Sequence, residues 1–400
     1  ASQNLRPYKL PDYQARIVKL TLNHSTGSVS LDNQIMLTRQ DGTTPITGSG
    51  NIAGYDEVPV TYTDPATAYS DSDYVDANGT YYHELPYDYL AGDMEGIIID
   101  KNGDFWICDE NRPAIYQFAH NGTLKHRYVA TGTSLLGDTT KPAGTFGEET
   151  LPAIYFKRWA NRGFEGIAYD SASHTVYAFI QSPLYNPGSV TKNNSDVIRI
   201  LGVDANNGTP VSEYVYLLER NKYNGYSSSR TDKIGDACYV GDNKLLVIER
   251  DSEGPTVPEG KKYIFEINLK GATNIINLPI SADTLELFSA DQLAAAGVQA
   301  VHKTLVTNLP TIGYVSSDKA EGLALLPNNR IAVMNDNDFG LAGAGITDNS
   351  VLGIISFNQD YGFDASDKDN AVDIKAHPTL GMFLPDGIAT YSVNGKTYIV

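Results

Sequence analysis

One short pattern returns five times along this chain, and it restricts the fold more than any other feature. It reads EGIIIDKNGDFWICDE from Glu95, EGIAYDSASHTVYAFIQS from Glu165, DACYVGDNKLLVIERD from Asp236, EGLALLPNNRIAVMNDND from Glu321 and DGIATYSVNGKTYIV from Asp386. Each copy has an acid, usually a glycine, an apolar or β-branched run, a polar turn and a second apolar run. The copies lie roughly 65–85 residues apart, the spacing of a repeat architecture. Runs rich in Ile, Val, Tyr and Phe, joined at Asn102-Gly103, Asn328-Asn329 or Asn394-Gly395, predict a β-hairpin in every copy.

A hairpin brings its two open ends together. Glu95 is therefore expected near Asp109 and Glu110, Glu165 near Gln181, Asp236 near Glu249 and Asp251, and Glu321 near Asp336 and Asp338. If the hairpins are the inner strands of successive propeller blades, these acids collect at one mouth of a central channel. Two carboxylates about 5 Å apart repel by roughly 3 kcal/mol at an effective dielectric near 20. A ring of them must raise its own pKa values or hold a cation. Oxygen ligands in loops select Ca2+, and Mg2+ less well. The expected metal ligands are Glu95, Glu165, Asp236, Glu321, Asp109, Glu249, Asp336 and Asp386. The alternative is that these acids cap strand ends and bind turn amides.

The fold class expected is all-β, a β-propeller of five to six blades in one domain spanning residues 1–400. The pair ARIVKLTLN and SVSLDNQIMLT has no acidic hairpin before it, and the Asp386 hairpin has no strand pair after it. The N-terminal strands are thus expected to close the last blade, which removes an open edge. Residues 40–94 read as a long loop, and DQLAAAG within 281–309 as a short helix. The chain stops in mid-pattern at Val400, as a fragment of a longer protein would, and the opening ASQNLRP suits a terminus left by signal-peptide cleavage.

A net charge of −18 disfavours nucleic acid and anionic membranes as partners, and no run is long and apolar enough to span a bilayer. Cys108 and Cys238 fall in strands of the first and third copies and are expected as buried thiols. Sequons at Asn23, Asn78, Asn121, Asn193 and Asn207 fit either glycosylation of an exported protein or plain turn chemistry.

GDMEG, FWICDE, LPAIYFKRWANRGFEG, FIQSPL, KIGDACY, LLVIERD, KAEGLALLP and MNDNDFG, in this order, resemble the secreted phytase-like proteins named for the esterase-like activity of phytase. The resemblance runs from about Arg16 to about Phe357 and implies an exported propeller that hydrolyses phosphoesters. In that reading calcium on the acid ring neutralises substrate phosphate and activates water. The candidate catalytic set is Glu165, Arg158, Arg162 and Lys319; Arg112 and Arg250 are further phosphate clamps beside acidic motifs. Each could equally be a structural ion pair. No G-x-S-x-G elbow is present, which argues against a serine esterase. A lactonase-type propeller, or a non-enzymatic calcium-stabilised module, also fits the acids.

Overall fold

The computed structural model describes residues 4–23, 26–63, 71–219, 231–254, 260–282, 284–314, 319–327, 330–337, 350–358, 362–363, 372–376, 387–393 and 396–399. Asp386, Asp338, Arg220, Lys222, Arg230 and the turns at Asn328-Asn329 and Asn394-Gly395 lie outside the described residues.

All five repeats are hairpins, and each opens a sheet. The first strands are Met94–Ile99, Phe164–Asp170, Lys233–Gly241, Ala320–Leu326 and Thr390–Val393. Each lies against the next, and the fifth returns to the first, so the five sheets form a ring, the arrangement of a β-propeller. In the first hairpin Asp100 Oδ1 accepts the backbone N–H groups of Asn102 (2.7 Å) and Asp104 (3.0 Å), and Gly103 takes φ 82°. Trp106 is fully buried on the returning strand, stacks on Tyr128 at 5.9 Å and donates its indole N–H to Asp100.

The glycine after the acid has a packing cause. A Cβ on Gly96 would sit 2.9 Å from the Glu165 carbonyl oxygen and 3.0 Å from the Ile167 nitrogen. One on Gly166 would sit 3.0 Å from the Asp236 Cα, and one on Gly387 2.6 Å from the Gly96 Cα. Neighbouring inner strands therefore abut backbone to backbone around the axis. Gly96→Ala forces backbone apart where no side chain can yield. It should cost on the order of 2 kcal/mol in denaturant unfolding, whereas a loss under about 0.5 kcal/mol would show that the axis has slack.

The closing blade is built as expected. Strand Arg16–Asn23 pairs antiparallel with Lys396–Ile399, in register Leu20↔Ile399, and carries Ser28–Met36 outside it. The helix Ala290–Ala295 forms behind a capping box made by Ser289 and Gln292. Both cysteines are free and buried.

Residues 40–94 are not the plain loop expected. Val58–Tyr62, Tyr74–Val75 and Tyr81–Glu84 form a sixth sheet with Leu5–Pro7, which lies parallel to Val58–Tyr62. Its strands are short and its sequence lacks the repeat, so tertiary pairing rather than local pattern defines it. The sheet matters because it carries the N-terminal arm, with Arg6 and Tyr8, to the mouth of the ring.

Candidate metal centre at the channel mouth

Three carboxylates meet where the first blade opens. Asp93, Glu95 and Glu110 each offer an oxygen, and these oxygens lie within 4.8 Å of one another. Asp93 and Glu95 are two residues apart at the start of one strand, and Glu110 follows the returning strand Phe105–Asp109, so the hairpin brings them together. Gln181 of the second blade joins the group: its amide Nε2 donates to Glu110 (2.6 Å) and to Glu165 (2.8 Å). A hydrogen bond then links Glu165 to Glu321 of the fourth blade. Glu95, Glu165 and Glu321 thus belong to one cluster at the channel mouth, as the repeat predicts.

Three cations border this cluster. Arg6 Nη2 lies 3.6 Å from Asp93, Arg250 is paired with Glu321, and Lys319 Nζ is 3.0 Å from Asp336. Burial, reinforced by Asp93 and Glu321, pushes the Glu110 carboxyl well above its ordinary range. Burial followed by the charges of Glu321 and Glu110 does the same to Glu165. Burial would also raise Glu321, but Arg250 and Lys319 outweigh it and hold this carboxyl below its usual value. The two environments thus push in opposite directions: neighbouring carboxylates disfavour charge on Glu165, while Arg250 and Lys319 favour it on Glu321.

The other expected ligands are committed elsewhere. Asp109 Oδ1 accepts the backbone N–H groups of Asp93, Asn111 and Arg112, while Oδ2 accepts the Tyr116 hydroxyl at 2.8 Å. Glu249 takes the Glu219 N–H, the Thr231 hydroxyl, the Tyr216 hydroxyl and Lys303. Asp236 binds three backbone N–H groups, from Ala237 (2.7 Å), Leu323 (2.7 Å) and Ile167 (3.4 Å). For these three the capping alternative describes the contacts they make. Asp336 meets Lys319 at the edge of the cluster.

Among the candidate catalytic residues, Glu165 and Lys319 reach the cluster. Arg158 donates to the Asn111 carbonyl oxygen (2.7 Å) and pairs with Asp56 at 2.5 Å. Arg162 donates to Ser182 Oγ (2.8 Å) and lies 4.0 Å from Asp232. Neither contact leads into the carboxylate group. Asp93, Arg6 and the bridging role of Gln181 escape the sequence reading. Asp93 carried a signal, because two residues before Glu95 is the same face of a strand. Arg6 carried none, since its place depends on the sixth sheet.

Three oxygen donors with no nitrogen or sulfur make a hard-cation set, and the spread suits calcium, whose Ca–O contacts of about 2.4 Å reach across it. The residues present therefore fit a divalent cation.

A family model described as phytase-like, esterase-like activity of phytase, matches residues 7–339. The chain belongs to the phytase-like family. A protein of Arthroderma benhamiae described as an uncharacterized secreted protein is 28% identical over 246 residues, covering 56% of this phytase-like chain and 46% of the relative. The chain thus spans about half the length of the curated relative it matches. Among solved structures, a streptogramin B lyase shares 12% identity at a TM-score of 0.33, covering 82% of this chain and 67% of that one. A gluconolactonase of Xanthomonas campestris shares 12% at 0.34, covering 74% and 66%. The PQQ-bound aldose sugar dehydrogenase of Streptomyces coelicolor shares 12% at 0.35, covering 76% and 92%. Likeness at this level bears on neither site nor substrate.

Proposed function

We propose that this phytase-like chain is an exported, calcium-dependent hydrolase of small phosphoesters, working at the mouth of its ring. The observation that carries the reading is the convergence of Asp93, Glu95 and Glu110, with oxygens within 4.8 Å of one another. These three residues would hold the calcium ion, which would there neutralise phosphate charge and lower the pKa of water. Gln181 orients Glu110 and Glu165 by donating to both. Burial and the neighbouring carboxylates favour the protonated form of Glu165, which would give its proton to a leaving oxygen. Glu321, whose charge Arg250 and Lys319 favour, would accept a proton from the attacking water and pass it to Glu165, which restores the acid. The metal set differs from the sequence expectation in keeping Glu95, adding Asp93 and Glu110, and moving Glu165 and Glu321 to proton handling. Export draws support from the secreted relative and from the sequon asparagines, all exposed.

The direct test is phosphate release from phytate and from nitrophenyl phosphate, in calcium and in chelator. Calcium-dependent release, lost by at least 100-fold in Glu165→Gln, is the expected result. Turnover of lactones or carboxylic esters instead would replace the substrate class. No turnover, with calcium raising the melting temperature, would leave a calcium-stabilised module.

A further inference from the structure

Beside the acidic mouth, and separate from it, sits a buried basic cluster. Arg112 stands in the turn after Phe105–Asp109, Arg127 in strand Leu124–Ala130, and Arg158 follows the 3-10 helix Ala153–Lys157. All three are buried. Arg127 lies 3.7 Å from Asp109, and Arg158 pairs with Asp56 at 2.5 Å. Among the described residues no carboxylate comes within ion-pair distance of the Arg112 guanidinium, whose Nη2 donates to the Leu136 carbonyl oxygen at 3.1 Å. Arg112 Nε and Nη1 have no acceptor, and neither has Arg127 Nε. Three guanidinium groups against two carboxylates leave one buried positive charge unmatched.

A guanidinium stripped of water without an anion is among the costliest groups to bury. The usual remedy is a partner that accepts several N–H bonds at once and supplies the missing charge. Among the described residues the nearby carboxylates, Asp109 and Asp56, are already paired with Arg127 and Arg158, so an anion from solution is the partner that fits. Planar N–H forks match the oxygens of a tetrahedral oxyanion far better than they match a halide. The segments that cover the cluster are themselves held by it: Arg127 Nη1 donates to the carbonyl oxygens of Tyr89 (2.6 Å) and Phe146 (2.9 Å), and the Tyr89 ring lies 5.3 Å from that of Phe146. Gly137 packs on the same Tyr89 ring, where a Cβ would come within 2.1 Å.

We propose that Arg112 and Arg127 form a buried site for a phosphate- or sulfate-class oxyanion, enclosed by residues 85–92 and 131–147. An ion bound there ties the two segments to the first blade. The site is independent of the acidic mouth and of any catalysis there.

The test uses the whole chain in chelator, so that no bound calcium can capture phosphate. Inorganic phosphate at millimolar concentration should raise the melting temperature of the wild type by about 3 °C and give saturable heat in calorimetry. Arg112→Met should bind none, yet match or exceed the wild type's melting temperature in phosphate-free buffer, because it removes an uncompensated charge. Sulfate should substitute for phosphate, and chloride should not. Equal phosphate shifts in wild type and Arg112→Met would place the ion elsewhere and overturn the proposal. So would a wild type indifferent to both oxyanions. If Arg112→Met folds poorly even in phosphate-free buffer, Arg112 is a structural donor to Leu136, and the proposal fails on that result as well.

Discussion

Titrated with calcium near neutral pH, Glu110→Gln should bind on the order of 100-fold more weakly than the wild type, and the stabilisation that calcium brings should largely vanish. Glu110 is the pivot of the cluster: it shares ion-binding distance with Asp93 and Glu95 and is tied through Gln181 to Glu165. An amide of the same shape keeps the volume and removes the charge. In the wild type, saturating calcium should raise the melting temperature by on the order of 5 °C or more. The effect should depend on pH with a definite sign. Burial and neighbouring carboxylates lift Glu110 and Glu165 above their ordinary range, so the native chain holds these protons to a higher pH than the unfolded chain does. Between the ordinary carboxylate value of about 4.5 and the native values, the native state binds more protons. Metal-free stability therefore falls as pH rises through that interval. Calcium must displace the same protons, so its apparent affinity rises with pH. Melting curves in calcium and in chelator, from about pH 5 to about pH 8, should diverge steadily. Parallel curves would remove these carboxyls from the metal site.

Asp236→Ala should cost about 3–9 kcal/mol, from stranding three buried backbone N–H groups at roughly 1–3 kcal/mol each. Those donors belong to Ala237, Ile167 and Leu323, in the inner strands of three consecutive blades. One carboxylate thus fastens three sheets at the axis, where side chains have no room. A loss of this size consumes much of a typical stability of 5–15 kcal/mol, so the variant should show a sharply lower midpoint in denaturant. Asp236→Asn separates fastening from metal binding. It keeps one acceptor but presents an amide where the second oxygen stood, so it should destabilise while its folded fraction still binds calcium nearly as the wild type does. A calcium defect as large as that of Glu110→Gln would return Asp236 to the ligand set.

These two residues show how far the sequence could be read. Repetition alone revealed the ring, the hairpins and the pairing of the first strands with the last, because each follows from local apolar pattern and turn chemistry. It also brought Glu95, Glu165 and Glu321 to one place. What it could not do was say which way an acid faces. Asp109 and Glu110 are adjacent, and on a strand end adjacent side chains take opposite sides. Glu110 turns to the mouth, while Asp109 turns into the blade against Tyr116 and Arg127. Asp236 and Glu249 are equally acidic in the repeat, yet they meet backbone amides, hydroxyls and a lysine. Arg6 was illegible for a different reason. Its arrival beside Asp93 depends on a parallel pairing of Leu5–Pro7 with Val58–Tyr62, between two short segments with no shared pattern.

The pairing of Leu20 with Ile399 sets the order of events during synthesis. Ribosomes add roughly 5–20 residues each second, so strand Arg16–Asn23 waits on the order of half a minute before its partner exists. During that time its inner edge has nothing to bond to, and any other nascent copy nearby offers the same unpaired edge. Closure is a single event, slow because the loop it completes runs from Leu20 to Ile399. Intermolecular capture of that waiting strand, rather than failure of any one sheet, is the hazard this architecture carries into crowded expression.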